Sequence, residues 1–159
     1  MKSLMTAVFF LVSTICFAQV AKVDIKLRPA GSFKVESTEV KGFAVQKGNM
    51  VEAKNILVGL KKLKTGINLR DEHTRKHLQV DKYPDAVLVS AKGQGGKGEG
   101  LLRIRGIEKK ISGTYKVEGS TLMAEFPIKL SDFEITGIKY MGVGVDDNAK
   151  VKVSIPIKN

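Results

Sequence analysis

The chain has 159 residues, a formal net charge of +11 at pH 7, one cysteine and no tryptophan. That length suits a single domain with its own hydrophobic core. The few aromatic residues do not interleave with the cations, and no nucleic-acid recognition motif is present, which argues against nucleic acid as a partner. The excess positive charge indicates either attraction to an anionic membrane surface or acidic partner, or simply a solvated surface.

The first 18 residues have the pattern of a secretory signal peptide. Lys2 precedes an apolar run that extends to Phe17, and Cys16 and Ala18 are small residues at the −3 and −1 positions of a cleavage site. The run is too short to span a bilayer. We therefore predict a signal peptide over residues 1–18, one domain over residues 19–159, and a periplasmic location, with secretion as the alternative. Loss of Cys16 would leave a mature chain without disulfides or cysteine metal ligands.

Alternation of apolar and polar residues with a period of two dominates the rest of the chain and predicts β-strands. Before residue 65 the predicted runs are Val23–Leu27, which ends at Pro29, then Phe33–Glu36, Val40–Lys47 and Met50–Lys62, with a hairpin turn at Gly48-Asn49. After residue 85 they are Ala86–Lys92, Leu101–Arg105, Ile111–Val117, Leu122–Leu130 and Val151–Ile157, with turns at Gly93–Gly98, Gly106 and Gly119-Ser120. Eight or nine strands joined by short turns indicate a sandwich or a barrel, and exclude parallel βαβ units.

One helix is predicted, within the charged segment Thr65–Gly93. Asn68 is the expected N-cap, with Asp71 three residues later as in a capping box. Asp71 and Arg75 are spaced to pair along one helix face, and Tyr83-Pro84 is expected to end the helix. The segment has few apolar residues, so the helix must rest on the strands.

The helix also carries the only histidines, His73 and His77, four residues apart. Together with Asp71 or Glu72 they could bind Zn²⁺ or Cu²⁺, which would suit a metal-dependent hydrolase. A third strong ligand and the HExxH pattern are missing, however, and no serine or threonine nearby has a nucleophile signature. We therefore predict no metal site, no catalytic residues, no cofactor and no enzymatic activity.

Medium-sized apolar residues alternate along most strands. Inside a small barrel they would either enclose a slender apolar ligand or fill the interior completely. Alternation alone leaves both arrangements open.

Several segments resemble one known family. The segments Thr65-Gly66, Leu69–His73 and Lys82–Pro84, then Gly100–Ile107 with Lys109-Lys110, and finally Phe126–Ile128, Ser131–Phe133 and Gly142-Val143 are similar, in this order, to the signature of the YceI-like family of bacterial periplasmic proteins. The resemblance implies an all-β, antiparallel, eight-stranded lipocalin-like barrel, with one short helix closing or flanking an end. It also implies a hydrophobic tunnel that binds a polyisoprenoid or similar long-chain amphiphile.

On this basis we predict an exported carrier of an isoprenoid quinone-type lipid or of a fatty acid or amide, acting as a monomer or homodimer. The alternatives are a filled barrel that acts as a basic-surface interaction module and, as a second alternative, a metal-dependent hydrolase that uses His73 and His77. Predicted ligand-binding residues, from strand alternation, are Phe43, Val45, Leu57, Leu102, Ile104, Ile111, Tyr115, Leu122, Phe126, Ile128, Val151 and Val153. Predicted headgroup or mouth residues are Arg70, Asp71, His73 and Tyr83.

Overall fold

The computed structural model describes residues 18–140 and 142–159. The predicted signal peptide therefore lies outside the described residues, except for Ala18. The strands are β1 (Val20–Arg28), β2 (Ser32–Ser37), β3 (Val40–Lys41), β4 (Ala44–Lys47), β5 (Met50–Gly59), β6 (Asp85–Gln94), β7 (Lys97–Ile104), β8 (Ile107–Glu118), β9 (Thr121–Lys129), β10 (Lys139–Tyr140) and β11 (Val143–Lys158). The helices are α1 (Asn68–Leu78) and the 3₁₀ turn Leu130–Phe133. In the described part of the chain, no helix has the length and apolar character needed to cross a membrane.

Seven strands form a closed barrel in the order β11-β4-β5-β6-β7-β8-β9, and β9 pairs back onto β11. All neighbours are antiparallel except β4 and β11, which pair in parallel through Ile157 with Ala44 and Lys158 with Val45. The all-β barrel with one short helix agrees with the prediction, whereas the count of eight and the wholly antiparallel pairing do not.

The difference arises at the long strand β11. Along one edge it pairs first with β1, between Gly144 and Ser154, and then with β4 at its last residues. The N-terminal strands β1 and β2 therefore form an extra wall beside the closed ring. Backbone hydrogen bonds between Glu36 and Lys64, at 2.8 and 2.9 Å, connect this wall to the segment that precedes α1.

The hairpin turns occur where glycine predicts them. Lys47 pairs with Met50 across Gly48-Asn49, and Glu118 pairs with Thr121 across Gly119-Ser120. The predicted single run Val40–Lys47 is instead two short strands, because Gly42 adopts a positive φ of 119° between them.

The helix differs from its prediction at both ends. Ile67, not Asn68, precedes the first turn, and no side chain caps that end. Asp71 turns instead towards Thr65, and Arg75 donates a hydrogen bond to the Leu63 carbonyl at 3.4 Å. The helix ends at Leu78, well before Pro84, because Gln79 takes a left-handed conformation that stops it.

The interior holds two groups of buried apolar residues. The larger group lies towards α1 and includes Ile25, Leu63, Ile104 and Phe133. The smaller group lies towards the β4–β5 turn and includes Ala44, Val51 and Ile155. This division sets the shape of the space inside the barrel.

Candidate ligand-binding site

The space between the barrel, the β1–β2 wall and α1 is a cavity of about 610 Å³. We call it the large cavity. Nearly all of its lining is aliphatic or aromatic; the wall strands contribute Val23, Ile25 and Phe33, and the barrel contributes Ile104 and Ile128. Its volume falls within the range of roughly 300–1,000 Å³ that small-molecule sites occupy. An apolar space of this size suits an apolar ligand.

A second, smaller cavity of about 80 Å³ lies further into the barrel. We call it the small cavity. Four residues line both cavities and form the partition between them: Leu88, Phe126, Val153 and Ile155. The Tyr115 ring narrows the far end, where it packs so closely over Gly93 that a Cβ there would lie 2.4 Å from Tyr115 Cε1. The rings of Phe126 and Tyr115 thus limit how far a ligand can extend from the large cavity into the small cavity.

The predicted lining residues fall into three groups. Leu102, Ile104, Phe126, Ile128, Val151 and Val153 line the large cavity. Ile111, Tyr115 and Leu122 line only the small cavity, whereas Phe43, Val45 and Leu57 line neither. Their role in binding stays a prediction, but the geometry places half of the set around the large cavity.

Phe43, Val45 and Leu57 miss the cavities because the inward face was misassigned. In β4 the inward residue is Ala44, which is fully buried, so its neighbours face outward, and Phe43 is 43% exposed. In β5 the inward positions change from Val51 and Ala53 to Ile56 and Val58 across Asn55, which has a positive φ of 52°. A one-residue offset moves every later side chain to the other face.

Two of the four predicted headgroup or mouth residues, Arg70 and His73 of α1, line the large cavity, and their role in binding stays a prediction. Asp71 and Tyr83 do not line this cavity. The Tyr83 ring instead packs beside the turn at Gly106, where a Cβ would lie 3.1 Å from Tyr83 Cε1. Asp71 faces the segment before the helix.

Asp71 is 2% exposed and accepts hydrogen bonds from the backbone N–H and the hydroxyl of Thr65, each at 2.6 Å. The Lys64 ammonium lies 3.6 Å from its other oxygen. The Thr65 hydroxyl bond is the largest of the influences that hold the pKa of Asp71 below its usual value, against the effect of burial. A carboxylate that is kept charged in this way serves to fix α1 to the barrel.

His77, one helical turn after His73, also lines the large cavity. Burial lowers its pKa below the usual value, and electrostatic interaction with His73, Arg105 and Lys76 lowers it further. Within residues 18–140 and 142–159, no three His, Cys, Asp or Glu side chains come together as a metal site would require. The two histidines therefore face the apolar cavity without a third ligand from the described chain.

Sequence reasoning missed the contribution of β1, β2 and the start of α1. Val23, Ile25 and Leu27 alternate clearly in the sequence, yet they line the cavity from an extra wall that alternation alone does not predict. Ile67 and Leu69 also line the large cavity while remaining 54% and 47% exposed. The sequence does contain a signal for this contribution, because Ile67 and Leu69 are large apolar residues on either side of Asn68 in an otherwise polar segment.

Residues 11–157 match the protein family described as the YceI-like domain. The chain belongs to the YceI-like family. The match begins within the stretch predicted to be the signal peptide and continues almost to the C-terminus. No curated protein matches the chain.

Solved structures share the YceI-like fold at low sequence identity. BcnA of Burkholderia cenocepacia is 15% identical with a TM-score of 0.62, and the match covers 86% of this chain and 93% of that one. A polyisoprenoid binding domain from Saccharophagus degradans, implicated in plant cell wall breakdown, is 11% identical with a TM-score of 0.58, covering 86% and 91%. The Campylobacter jejuni YceI protein is 16% identical with a TM-score of 0.55, covering 79% and 85%.

Proposed function

We propose that this protein is an exported, non-enzymatic binding protein that sequesters or carries a polyisoprenoid or similar long-chain amphiphile. The observation that carries the proposal is the apolar cavity of about 610 Å³ between the barrel, the β1–β2 wall and α1. Membership of the YceI-like family supports it, as does similarity to a domain described as polyisoprenoid-binding.

The physical basis of binding is burial of an apolar chain. Each Å² of apolar surface removed from water contributes about 25 cal/mol, so an extended chain binds without many specific contacts. The candidate occupants are isoprenoid quinone-type lipids and fatty acids or amides. The alternative of a filled barrel that acts only through its basic surface fits poorly with the large cavity.

The proposed function has two further parts, which are export of the protein and its peripheral contact with an anionic membrane surface. Export rests on the sequence pattern of residues 1–18, and the membrane contact rests on the net charge of +11. N-terminal sequencing of the protein recovered from a periplasmic extract should begin at Gln19. A cytoplasmic protein that retains Met1 would overturn the export proposal.

The decisive experiment is mass spectrometry of an organic extract from protein purified without detergent. We expect a co-purifying long-chain lipid. Adding geranylgeraniol to delipidated protein should also raise the melting temperature, because a ligand that binds only the folded state stabilises it. If no lipid co-purifies and neither geranylgeraniol nor palmitic acid shifts the melting temperature, the carrier function is wrong.

A further inference from the structure

Four basic or imidazole side chains line the large cavity. Arg70, His73 and His77 line it from α1, and Lys139 lines it from β10. Among the described residues that line this cavity, none carries a carboxylate. The cavity therefore presents the cationic side chains of Arg70 and Lys139, and no carboxylate, to a ligand, which favours an anion.

Arg70 has unused hydrogen-bonding capacity where it lines this cavity. Its guanidinium carbon lies 4.3 Å from the centroid of the Phe33 ring, and one terminal nitrogen donates to the Thr65 carbonyl at 2.5 Å. Its Nε atom is buried and has no hydrogen-bond partner among the described residues. No carboxylate forms an ion pair with Arg70 in the part of the chain that the structure describes. A buried donor without an acceptor is costly, and an incoming acceptor would relieve that cost.

Arg70 also lies where the apolar cavity meets a polar surface. Arg70 and Phe33 line a shallow groove beside the mouth, together with Lys34, Lys62 and Lys64. The one carboxylate along that groove, Glu36, already pairs with Lys22 at 3.4 Å. Lys62 pairs with Glu39 at 2.8 Å and Lys64 lies 3.6 Å from Asp71, so Lys34 and Arg70 are the groove cations without an ion pair among the described residues. A headgroup at Arg70 would thus have its tail in the apolar cavity and its polar atoms beside a basic groove.

We propose that the bound amphiphile has an acidic headgroup, a carboxylate or a phosphate, which Arg70 and Lys139 hold at the mouth of the large cavity. This inference rests on the proposed function and narrows its ligand class. A guanidinium can give an oxyanion two parallel charge-assisted hydrogen bonds, which a neutral alcohol, quinone or amide cannot match.

The test compares acids with alcohols of the same chain. Calorimetric titration of delipidated protein at low salt would use palmitic acid against hexadecanol, and geranylgeranyl phosphate against geranylgeraniol. We expect at least one acid to bind about tenfold or more tightly than its alcohol, the effect of one charge-assisted hydrogen bond. The acid that binds more tightly would show whether the acidic ligand is a fatty acid or a prenyl phosphate.

Arg70→Gln and Lys139→Gln should each weaken binding of the acid more than binding of the alcohol of the same chain, and so reduce this preference. Lys139→Gln should fold normally, because Lys139 is exposed on a short edge strand. A reduced preference in this variant would therefore not come from a folding defect. Lys110→Gln on β8 removes the same charge away from the mouth and should preserve the preference.

Three results would overturn the inference. Equal affinity for acid and alcohol would refute it while leaving the proposed carrier function intact. An equal loss of preference in Lys110→Gln would mean that net charge, not the mouth, attracts the acid. Failure of the folded protein to bind any of the four probes would refute the carrier function and this inference together.

Discussion

The Asp71 carboxylate and Thr65 are joined by two hydrogen bonds to the same oxygen, one from the Thr65 backbone N–H and one from its hydroxyl. Arg70 donates back to the Thr65 carbonyl at 2.5 Å. These bonds fold the first turn of α1 onto the segment that leaves β5. Because Arg70 and Leu69 line the large cavity, the same contacts also fix the position of the cavity mouth.

Replacing Asp71 with Asn should lower the free energy of unfolding by about 1–3 kcal/mol, because Asn loses the charge that strengthens both bonds from Thr65 and the attraction to Lys64. Urea denaturation measures the change. Glu72→Gln is the matched control, since it removes the same charge from an exposed neighbour on the helix. Equal losses in the two variants would contradict a specific role for Asp71.

The stability that is lost in Asp71→Asn should depend on pH. The hydrogen bonds from Thr65 hold the pKa of Asp71 below its usual 3.8 in the folded protein. The unfolded chain then binds the proton more readily, so the stabilisation by Asp71 is complete above 3.8 and is lost as pH falls through the lower, folded pKa. The stability difference between wild type and Asp71→Asn should therefore be constant at neutral pH and shrink in strong acid. A difference that grows in strong acid would contradict this linkage.

His77 should make stability depend on pH in a different range. Burial, with the neighbouring His73, Arg105 and Lys76, lowers its pKa below 6.5 in the folded state. The unfolded chain binds more protons below 6.5, so stability should decline as pH falls from 6.5 to the folded pKa. His77→Gln should remove this decline, as melting temperatures between pH 8 and pH 5 would show.

Because the chain has only two histidines, NMR titration can follow His77 directly. His73→Gln removes one of the groups that lower the pKa of His77 and should therefore raise that pKa. An unchanged pKa in that variant, or a pKa of His77 above 6.5 in the wild type, would contradict the assigned causes.

Val151→Phe should weaken binding of long apolar chains, because Val151 lines the large cavity and the larger ring occupies space the ligand needs. The thermal shift caused by geranylgeraniol should be strongly reduced, while the ligand-free protein should stay folded, since the cavity has room for the ring. Val45→Phe is the matched control, because Val45 lines neither cavity and should leave the shift unchanged. Equal effects of the two substitutions would place the ligand elsewhere.

Alternation and glycine turns were sufficient to predict the strands and most hairpins, because both depend on local sequence. The route of the chain around β11 was not predictable in the same way. The strands that contain Val23 and Val153 show equally clear alternation of apolar and polar residues. Only the long-range pairing of β11 with β1, β4 and β9 determines which strands close the ring. Seven strands with an extra wall and eight strands in one ring have the same local pattern.

The site was predicted where one face of a strand is clearly apolar and missed where both faces are. In β9, Phe126 and Ile128 alternate with Glu125 and Lys129, so the inward face is unambiguous. In β5, Leu57 lies between Ile56 and Val58, so the offset at Asn55 decides which side chain points inward. Arg70, which the family signature singles out, lines the large cavity, whereas the contact of Asp71 with Thr65 depends on tertiary packing that the local sequence does not specify.

Phe126 should set the length of chain that the protein accepts, because its ring lies in the partition between the large and small cavities. Phe126→Ala should merge the two spaces and shift the preferred ligand to a longer chain. The substitution should also cost about 3–5 kcal/mol of stability, as expected for truncation of a buried aromatic residue.

Titration with farnesol, geranylgeraniol and longer prenyl alcohols would measure the shift in preference. Phe133→Ala is the control for lost stability, because Phe133 is 1% exposed yet lines neither cavity. It should destabilise the protein to a similar extent without altering the preferred length. If both variants retain the wild-type order of affinities, the ligand ends before the partition, and the small cavity plays no part in chain selection.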